Sequence, residues 1–208
     1  MNTEMVIRRE RPEDFRETEN LVREAFWNVY RPGCLEHFVV HELRKSPDFC
    51  PELDLLLILG GKAVGQVMFV RNRLQISGGP ELPVLTLGPI CIHPDLHRRG
   101  YGLSLLEHAL EKAAETGAAA VFLEGNIGFY GKAGFVAAST LGIHYMDEPA
   151  EDPVPYFLAK TLRPELFTPG LDARYRVPSV YLVDERQAED FDRQFPPKTK
   201  LRLPGQLF

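Results

Sequence analysis

A short loop rich in glycine and arginine has the residue types best suited to chemistry in this sequence. It runs from His97 to Gly102, between an apolar stretch that ends at Ile92 and a helical pattern that begins at Leu103. A turn from strand to helix gathers backbone N–H groups at a helix N-terminus, where the macrodipole also favours an anion. The glycines let a ligand approach the backbone closely, and the arginines add positive charge. The loop is therefore predicted to hold a pyrophosphate.

A second motif lies downstream of this loop. A helical pattern ends near Gly117, an apolar strand covers Ala118 to Leu123, and the sequence FYGKAGF follows at residues 129–135. This order of strand, loop, helix, strand and tyrosine fits one βαβ unit. Two common nucleotide-binding motifs, the dinucleotide fingerprint G-x-G-x-x-G and the P-loop G-x-x-x-x-G-K-[ST], are both missing from the sequence.

The two motifs together resemble those of the GCN5-related N-acetyltransferase (GNAT) superfamily. Residues 97–102 are similar to its signature Q/R-x-x-G-x-G/A, although His97 is a departure at the Gln/Arg position, and residues 130–135 are similar to Y-x-x-x-G-F. The resemblance covers roughly residues 5–162. It implies an α/β (α+β) fold, with a mixed, mainly antiparallel twisted sheet that is flanked by helices and splayed between its central strands. It also implies acetyl-CoA as the acyl donor and no metal.

The resemblance implies a set of cofactor-binding residues. The backbone of Ile90, Cys91 and Ile92 would pair with the pantetheine arm like an added strand, and the amide of Ile90 could polarise the thioester carbonyl. Asn126 could hydrogen-bond the arm or form a turn, and Lys132 could meet a CoA phosphate or point to water. The remaining cofactor-binding residues form the pyrophosphate loop and are His97, Arg98, Arg99, Gly100, Tyr101, Gly102 and Leu103.

Acyl transfer from a thioester to an amine requires a deprotonated nucleophile, stabilisation of an oxyanion and a proton for the departing thiolate. Tyr130 matches the tyrosine that protonates the thiolate in many family members, with aromatic packing as the alternative. Glu124, at the end of the preceding strand, could act as the general base directly or through water, or be only a solvated carboxylate. His93 is a residue type that can act as a base near neutral pH, but it adjoins a turn. A water chain is a further alternative, as are four residues of the second predicted helix, Glu36, His37, His41 and Glu42.

Hydrophobic periodicity predicts the elements that position these groups. A first strand covers Met5 to Arg8, helical spacing runs from Leu21 to Val29, and a second helix covers about Leu35 to Lys45. The resemblance implies that these two helices form one wall of the acceptor cleft. Two apolar runs around Gly60-Gly61 predict a hairpin, and the central strand follows from Leu82 to Ile92. Aromatic residues that could line the cleft or pack in the core are Phe26, Trp27, Tyr30 and Phe38.

The dipeptide Gly88-Pro89 interrupts the central strand. Because proline lacks an N–H, regular pairing fails there and a bulge is predicted. In the GNAT family the corresponding strand carries a bulge and parts from the next strand, which opens a gap for pantetheine. Strand-like pieces follow at 141–146 and 156–162, on either side of the acidic segment 147–153.

The sequence is predicted to divide into an acetyltransferase domain, residues 1–162, and a C-terminal extension, residues 163–208. The extension is rich in proline and charge, and only residues 175–183 have strand character. It could pack across the domain, form a homodimer contact or be partly mobile.

Composition narrows the class of protein. The 208 residues suffice for one core, and 44% hydrophobic with 25% charged residues is ordinary for a globular chain. A net charge of -5 argues against a nucleic-acid partner. The sequence contains no run of about 20 apolar residues and its first residues lack signal-peptide features. The three widely spaced cysteines, Cys34, Cys50 and Cys91, suit a reducing compartment and do not suggest structural zinc. Together these observations predict a cytoplasmic protein without a membrane partner.

The expected function is acetyl-CoA-dependent N-acetyltransfer to a primary amine, by direct attack in a ternary complex. The acceptor could be a small molecule or an exposed amino group of a protein. The alternative is a non-catalytic acyl-CoA-binding or regulatory module, which the absence of a recognisable base leaves open. A third alternative is a structural or interaction protein in which the fold survives without CoA.

Overall fold

Nine strands share one sheet in the computed structural model of the chain, which describes residues 4–146, 148–149 and 154–207. The strands are β1 (Met5–Arg9), β2 (Leu55–Leu59), β3 (Lys62–Ile76), β4 (Leu82–Ile92), β5 (Ala120–Glu124), β6 (Val136–Ala137), β7 (Ile143–Tyr145), β8 (Phe157–Thr161) and β9 (Ala173–Tyr175). The α-helices are α1 (Phe15–Phe26), α2 (Glu36–Leu43), α3 (Tyr101–Ala114), α4 (Ile127–Tyr130) and α5 (Glu185–Asp192).

The sheet is mixed and mainly antiparallel, as predicted. Its order is β1-β2-β3-β4-β5-β8-β6, with β9 beside the end of β3 and β7 beside β9. The pairs β4–β5 and β7–β9 are parallel, and the other six pairs of named strands in the described part of the chain are antiparallel. The predicted hairpin is present as β2 and β3. Gly60 and Gly61 form its two-residue turn at φ 58° and 81°, a conformation that favours glycine.

The central strands part at the predicted bulge. Val67 of β3 faces Ile90 of β4 and Phe69 faces Leu87, so three steps along β4 correspond to two along β3. The extra residue falls at Gly88-Pro89. In the described chain β4 pairs with β5 at two positions only, Leu85 with Val121 and Thr86 with Phe122. Beyond these positions β4 continues without β5, and a gap opens between them.

Helices cover both faces of the sheet. On one face α3 buries Leu105, Leu106, Ala109, Leu110 and Ala113, an i, i+3, i+4 pattern that packs against the strands around the gap. Truncation of a fully buried leucine such as Leu105 to alanine typically costs about 2–5 kcal/mol of unfolding free energy. The opposite face packs against α1 and α2, so the gap lies between two helical layers.

A buried cluster of charged side chains fastens α1 and α2 to the edge of the sheet. Arg44 of α2 donates to Glu10 at 2.8 Å and to Glu19 of α1 at 3.0 Å, and all three side chains are almost fully buried. Asp54 lies beside Glu10. Burial, followed by its hydrogen bond with Glu10, raises the pKa of Asp54 to about 9. Its carboxyl group is therefore protonated at neutral pH and can donate to the Glu10 carboxylate.

The C-terminal residues join the same sheet and cover α1 and α2. Strand β9 pairs with β3, and Arg23 of α1, which is buried, pairs with Asp192 of α5 at 2.6 Å. The chain end then crosses the α1–α2 connection, where the Trp27 indole N–H and the Asn28 amide both donate to the carbonyl of Thr199. The C-terminal residues therefore pack on β3, on α1 and on the α1–α2 connection.

One local prediction is wrong, one helix was missed, and two predictions concern residues that lie wholly or partly outside the described chain. Strand character at 175–183 is wrong beyond Tyr175, because residues 179–181 form a 3-10 turn. Helix α5 was not predicted from the sequence. Of the acidic segment 147–153 only Glu148 and Pro149 are described, and residues 1–3, which bear on the signal-peptide prediction, are outside the described chain. No helix among the described residues has both the length and the apolar character needed to cross a bilayer.

Candidate active site

Backbone N–H and C=O groups near the end of β4 point alternately towards β3 and towards the gap. His93 N–H donates to Val64 of β3 at 2.8 Å. Because backbone groups of a strand alternate in direction, those of Ile92 and Ile90 point away from β3 towards the gap, and those of Cys91 point to β3. The Cys91 side chain packs with α1 and α2. Of the three residues predicted to pair with pantetheine, the structure thus offers Ile90 and Ile92 to a ligand in the gap, and Cys91 is occupied by the sheet.

The predicted pyrophosphate loop ends at an open helix N-terminus. Gly100 is the N-cap of α3 at φ 87°, and Ser104 N–H donates to its carbonyl at 3.1 Å. The amides of Tyr101, Gly102 and Leu103 therefore belong to the first turn, which has no intrahelical acceptors in any α-helix. A Cβ at Gly100 would meet no atom within 4 Å. Solvent reaches this end of the helix freely, as an anion would.

The flanking residues of the loop are exposed and shape its entry. His97 Nε2 lies 2.9 Å from the carbonyl oxygen of Ile92, and because a carbonyl can only accept, Nε2–H is the donor. Arg98 adopts φ 61°, in the left-handed region, and both Arg98 and Arg99 are exposed. The imidazole of His97 thus closes the loop onto the end of β4, on the side of the gap.

Tyr130 ends α4 beneath the loop and is held by aromatic rings. Its ring packs edge-on against Phe129 and Phe135, at centroid distances of 4.9 and 5.7 Å. A Cβ at Gly125 would lie 2.3 Å from Tyr130 Cε2, so only glycine leaves room for this ring. Burial, and then the nearby Tyr30, raises the pKa of Tyr130 well above its usual value. The phenol therefore stays protonated at neutral pH, as a proton donor must.

The other two predicted residues near Tyr130 lie on its exposed side. Asn126 Oδ1 accepts from Gly128 N–H at 2.8 Å, so the structure has the turn that was the alternative to cofactor binding. Lys132 is exposed in the turn after α4 and is free to reach towards solvent or a phosphate.

Glu124 lines a cavity on the α1–α2 face of the sheet. It is the exposed last residue of β5, and the Tyr145 hydroxyl donates to its Oε1 at 2.7 Å. The cavity has a volume of about 590 Å³ and lies beside the point where β4 and β5 cease to pair. Its further lining includes Tyr175 and residues 176–179. Tyr145 and Tyr175 were not found from the sequence, because they reach the site from strands distant in the chain and no local pattern marks them.

Comparisons with known proteins decide the family. The model of the Acetyltransferase (GNAT) family matches residues 13–135, more than half of the chain. The chain belongs to the GNAT family. A curated relative, the uncharacterized N-acetyltransferase YjhQ of Escherichia coli K12, is 31% identical over 98 residues, 47% of this chain and 53% of that protein. The chain thus spans about half the length of this relative.

Two solved structures share the fold of this GNAT protein. YhbS from Escherichia coli, determined in complex with CoA, is 21% identical with a TM-score of 0.72, and the match covers 88% of this chain and 94% of that one. A GNAT acetyltransferase from Brucella melitensis, in complex with acetyl-CoA, is 25% identical with a TM-score of 0.64, over 86% and 99% of the two chains. The fold class predicted from the sequence is confirmed.

The alternative base candidates of this GNAT protein are mostly engaged elsewhere. His37 is buried against the rings of Phe191 and Phe195, and burial lowers its pKa to about 4. Each of the remaining candidates, which lie on α2 or just before α3, already has a hydrogen-bond or ion-pair partner. His41 lies 2.9 Å from Glu19, Glu42 pairs with Lys45, Glu36 accepts from the Leu35 amide, and His93 accepts from the Asp95 amide. Of the base candidates named from the sequence, Glu124 is the one that combines an exposed carboxylate with the wall of this cavity.

The geometry leaves two sets of backbone groups open to a ligand. The N-terminus of α3 is open, which in general suits an anion, and Ile90 and Ile92 turn backbone groups towards the gap. Among the described residues no group of three or more His, Cys, Asp or Glu side chains could hold a metal ion.

Proposed function

We propose that this protein is an acetyl-CoA-dependent N-acetyltransferase that acts on a primary amine by direct attack in a ternary complex. The observation that carries the proposal is the alignment of three features along one gap. These are the open N-terminus of α3, the gap-facing backbone of Ile90 and Ile92, and the half-buried phenol of Tyr130. They match, in order, the pyrophosphate, the amide arm and the thioester sulfur of acetyl-CoA.

When bound, acetyl-CoA supplies a thioester, and transfer forms a C–N bond to the amine, breaks the C–S bond, releases one proton from nitrogen and requires one at sulfur. The Ile90 amide donates to the thioester carbonyl, where negative charge develops in the transition state. Tyr130 donates its phenolic proton to the sulfur. Backbone groups of Ile90 and Ile92 hold the arm in register, which keeps the reacting atoms aligned.

Glu124 receives the proton of the amine in this proposal. Its Oε1 is held by the Tyr145 hydroxyl at 2.7 Å, and the rest of the carboxylate faces the cavity. A carboxylate next to an ammonium stabilises the charged amine on arrival and takes one proton from it before attack, because an ammonium has no lone pair. That proton passes on to solvent, and the second N–H proton, which leaves once the C–N bond has formed, balances the proton that Tyr130 gives to sulfur. A water between the two would serve equally, because a proton passes along a hydrogen bond through one water.

The test is calorimetric titration with acetyl-CoA, with desulfo-CoA and adenosine diphosphate as partial ligands. We expect acetyl-CoA to bind in the range of about 1 μM to 1 mM that enzymes use for substrates. Thiol release on addition of amines then separates an enzyme from a module that only binds acyl-CoA. Failure of the folded protein to bind acetyl-CoA would refute the proposed function.

A matched pair of glycine variants locates the binding site. Gly100 and Gly170 both have φ +87° and open space where a Cβ would point, so Glu at either position costs about 1 kcal/mol of backbone strain and adds the same charge. Gly100→Glu should abolish binding because its carboxylate repels the pyrophosphate. Gly170→Glu should bind acetyl-CoA as the wild type does. Equal affinities for the two variants would contradict the assignment of the loop.

A further inference from the structure

We infer that the cavity at Glu124 is the acceptor site and that it selects a small cationic amine with an apolar body and no carboxylate. The inference rests on the proposed function and goes beyond it by naming the class of acceptor. Neither the family nor the fold determines that class, because acceptor pockets vary on a common fold.

Residues 176–179 and Leu182 line one side of the cavity, and this segment is fixed at both ends. At one end, the Tyr175 hydroxyl lies 2.8 Å from Thr86 Oγ1 of β4, in a buried contact. At the other end, the Tyr181 hydroxyl donates to the carbonyl of Gly88 at 2.9 Å. Asn72 of β3 also donates to the carbonyl of Arg176. This wall of the cavity is thus attached to the sheet.

The size of the cavity favours a small ligand. A volume of about 590 Å³ lies within the range of about 300–1,000 Å³ that is usual for pockets that enclose small molecules. A free amine of ordinary size fits wholly within such a volume. A polypeptide would instead have to place its backbone against the exposed side chains at the mouth, Tyr156 and Leu182, while one side chain reached Glu124.

The charge of the lining favours a cation. Among the residues that the structure describes, two carboxylates, Glu124 and Glu148, line the cavity beside one cation, Arg176. Glu124 uses one oxygen to accept from Tyr145, which leaves the other oxygen for an ammonium. Three tyrosines complete this side of the lining, and aromatic rings attract cations further. A ligand carboxylate would instead meet Glu124 and Glu148 and be repelled.

Two exposed apolar side chains indicate the body of the ligand. Tyr156 and Leu182 line the cavity and are 53% and 76% exposed, although large apolar side chains in a concave site usually contact something. An alkyl or aryl group bound at Glu124 through its ammonium would cover them. The chemistry of the lining therefore describes an alkylamine or aralkylamine.

The first test is a panel of four acceptors that differ in charge and size. Thiol release would be followed with 2-phenylethylamine, 1,4-diaminobutane, phenylalanine and a short lysine-containing peptide at fixed acetyl-CoA. We expect kcat/KM for the first two to exceed that for phenylalanine and for the peptide by about 100-fold, because phenylalanine brings a carboxylate to the acidic lining and the peptide does not fit within the cavity. Comparable kcat/KM for phenylalanine or the peptide would overturn the inference.

The second test changes charge at the cavity without touching the residues that react. Leu182→Lys places a cation in the lining, and Leu201→Lys places one at another exposed leucine of the extension, outside that lining. Leu182→Lys should raise KM for 2-phenylethylamine about 5-fold at low salt, less at high salt, with kcat unchanged. Leu201→Lys should leave KM unchanged. Equal KM values in both variants would overturn the inference.

Separate measurements distinguish failure of this inference from failure of the proposed function on which it rests. If acetyl-CoA binds but 2-phenylethylamine neither reacts nor binds to the CoA complex, the acceptor class alone is wrong. If acetyl-CoA does not bind, the proposed function fails and the acceptor class fails with it.

Discussion

The substitution Gly125→Ala should displace the Tyr130 ring while leaving Tyr130 itself in the sequence. The added Cβ would stand 2.3 Å from Cε2 and 2.8 Å from Cδ2 of the Tyr130 ring, whereas ordinary contacts of a Cβ begin at 3.4 Å. The ring must therefore move by about 1 Å. It cannot slide freely, because Phe129 and Phe135 pack edge-on against it. The hydroxyl of Tyr130 would lose its place at the end of the gap.

The expected magnitude follows from that displacement. A misplacement of about 1 Å at a reacting group costs on the order of 100-fold in rate, or about 2.7 kcal/mol in the barrier. Overpacking of a filled site also costs about 1–3 kcal/mol of unfolding free energy. We therefore expect kcat to fall about 10- to 100-fold, with a modest fall in thermal stability. Affinity for acetyl-CoA should stay the same, because the open end of α3 is unaltered.

The assay is thiol release under saturating acetyl-CoA, with calorimetry for binding. Gly131→Ala is the matched control, because its Cβ would make only ordinary contacts, at 3.6 Å or more from Ile127. In a Tyr130→Phe background, Gly125→Ala should add little, since the hydroxyl is already missing. Wild-type kcat in Gly125→Ala, with the variant folded, would refute the role of this ring position.

Three further outcomes test other parts of the structure. Tyr130→Phe should lower kcat about 10- to 100-fold with acetyl-CoA affinity intact, and an unchanged kcat would remove it as the acid. Tyr181→Phe leaves the half-buried carbonyl of Gly88 without this donor and should cost about 0.5–1.5 kcal/mol in urea unfolding; no loss would mean that water replaces the bond. The pKa of Asp54 is raised from 3.8 to about 9, so the folded state retains a proton that the unfolded state releases. The free energy of unfolding should therefore fall as pH rises from about 4 to 9, by up to about 1.4 kcal/mol per pH unit. Asp54→Asn keeps a donor for Glu10 and should flatten that dependence between pH 5 and pH 8, and an unchanged slope would show that another group causes it.

The parts of the site predicted from the sequence depend on local chemistry. The bulge at Gly88-Pro89 follows from the missing N–H of proline, and the turn at Gly60-Gly61 follows from two positive φ angles. The open N-terminus of α3 follows from Gly100 and the helical pattern after it. Each of these features is determined within a few residues, so a single sequence is enough to predict it.

The parts that were missed depend on contacts between distant segments. The direction of the Cys91 backbone is set by its pairing with β3, and a shift of one residue would have reversed it. Helix α5 has a clear start, since Asp184 accepts from Gln187 N–H, but it is short and is held by Ala188 and Phe191, which pack on α2. Helices of this length are not stable alone, so local propensity gives little signal.

The proposed acceptor site and the proposed cofactor site are linked through the C-terminal residues. Tyr181 donates to the carbonyl of Gly88, in the bulge that parts β4 from β5, and residues 176–179 line the cavity at Glu124. A change in that segment is therefore expected to act on two things at once, the shape of the cavity and the strand whose backbone faces the gap. The match to the family model ends at residue 135, whereas the chemistry proposed here also needs residues 176–182. In the proposed function, acceptor choice thus depends on residues beyond the two cofactor motifs, which is why a cofactor motif alone leaves the acceptor unspecified.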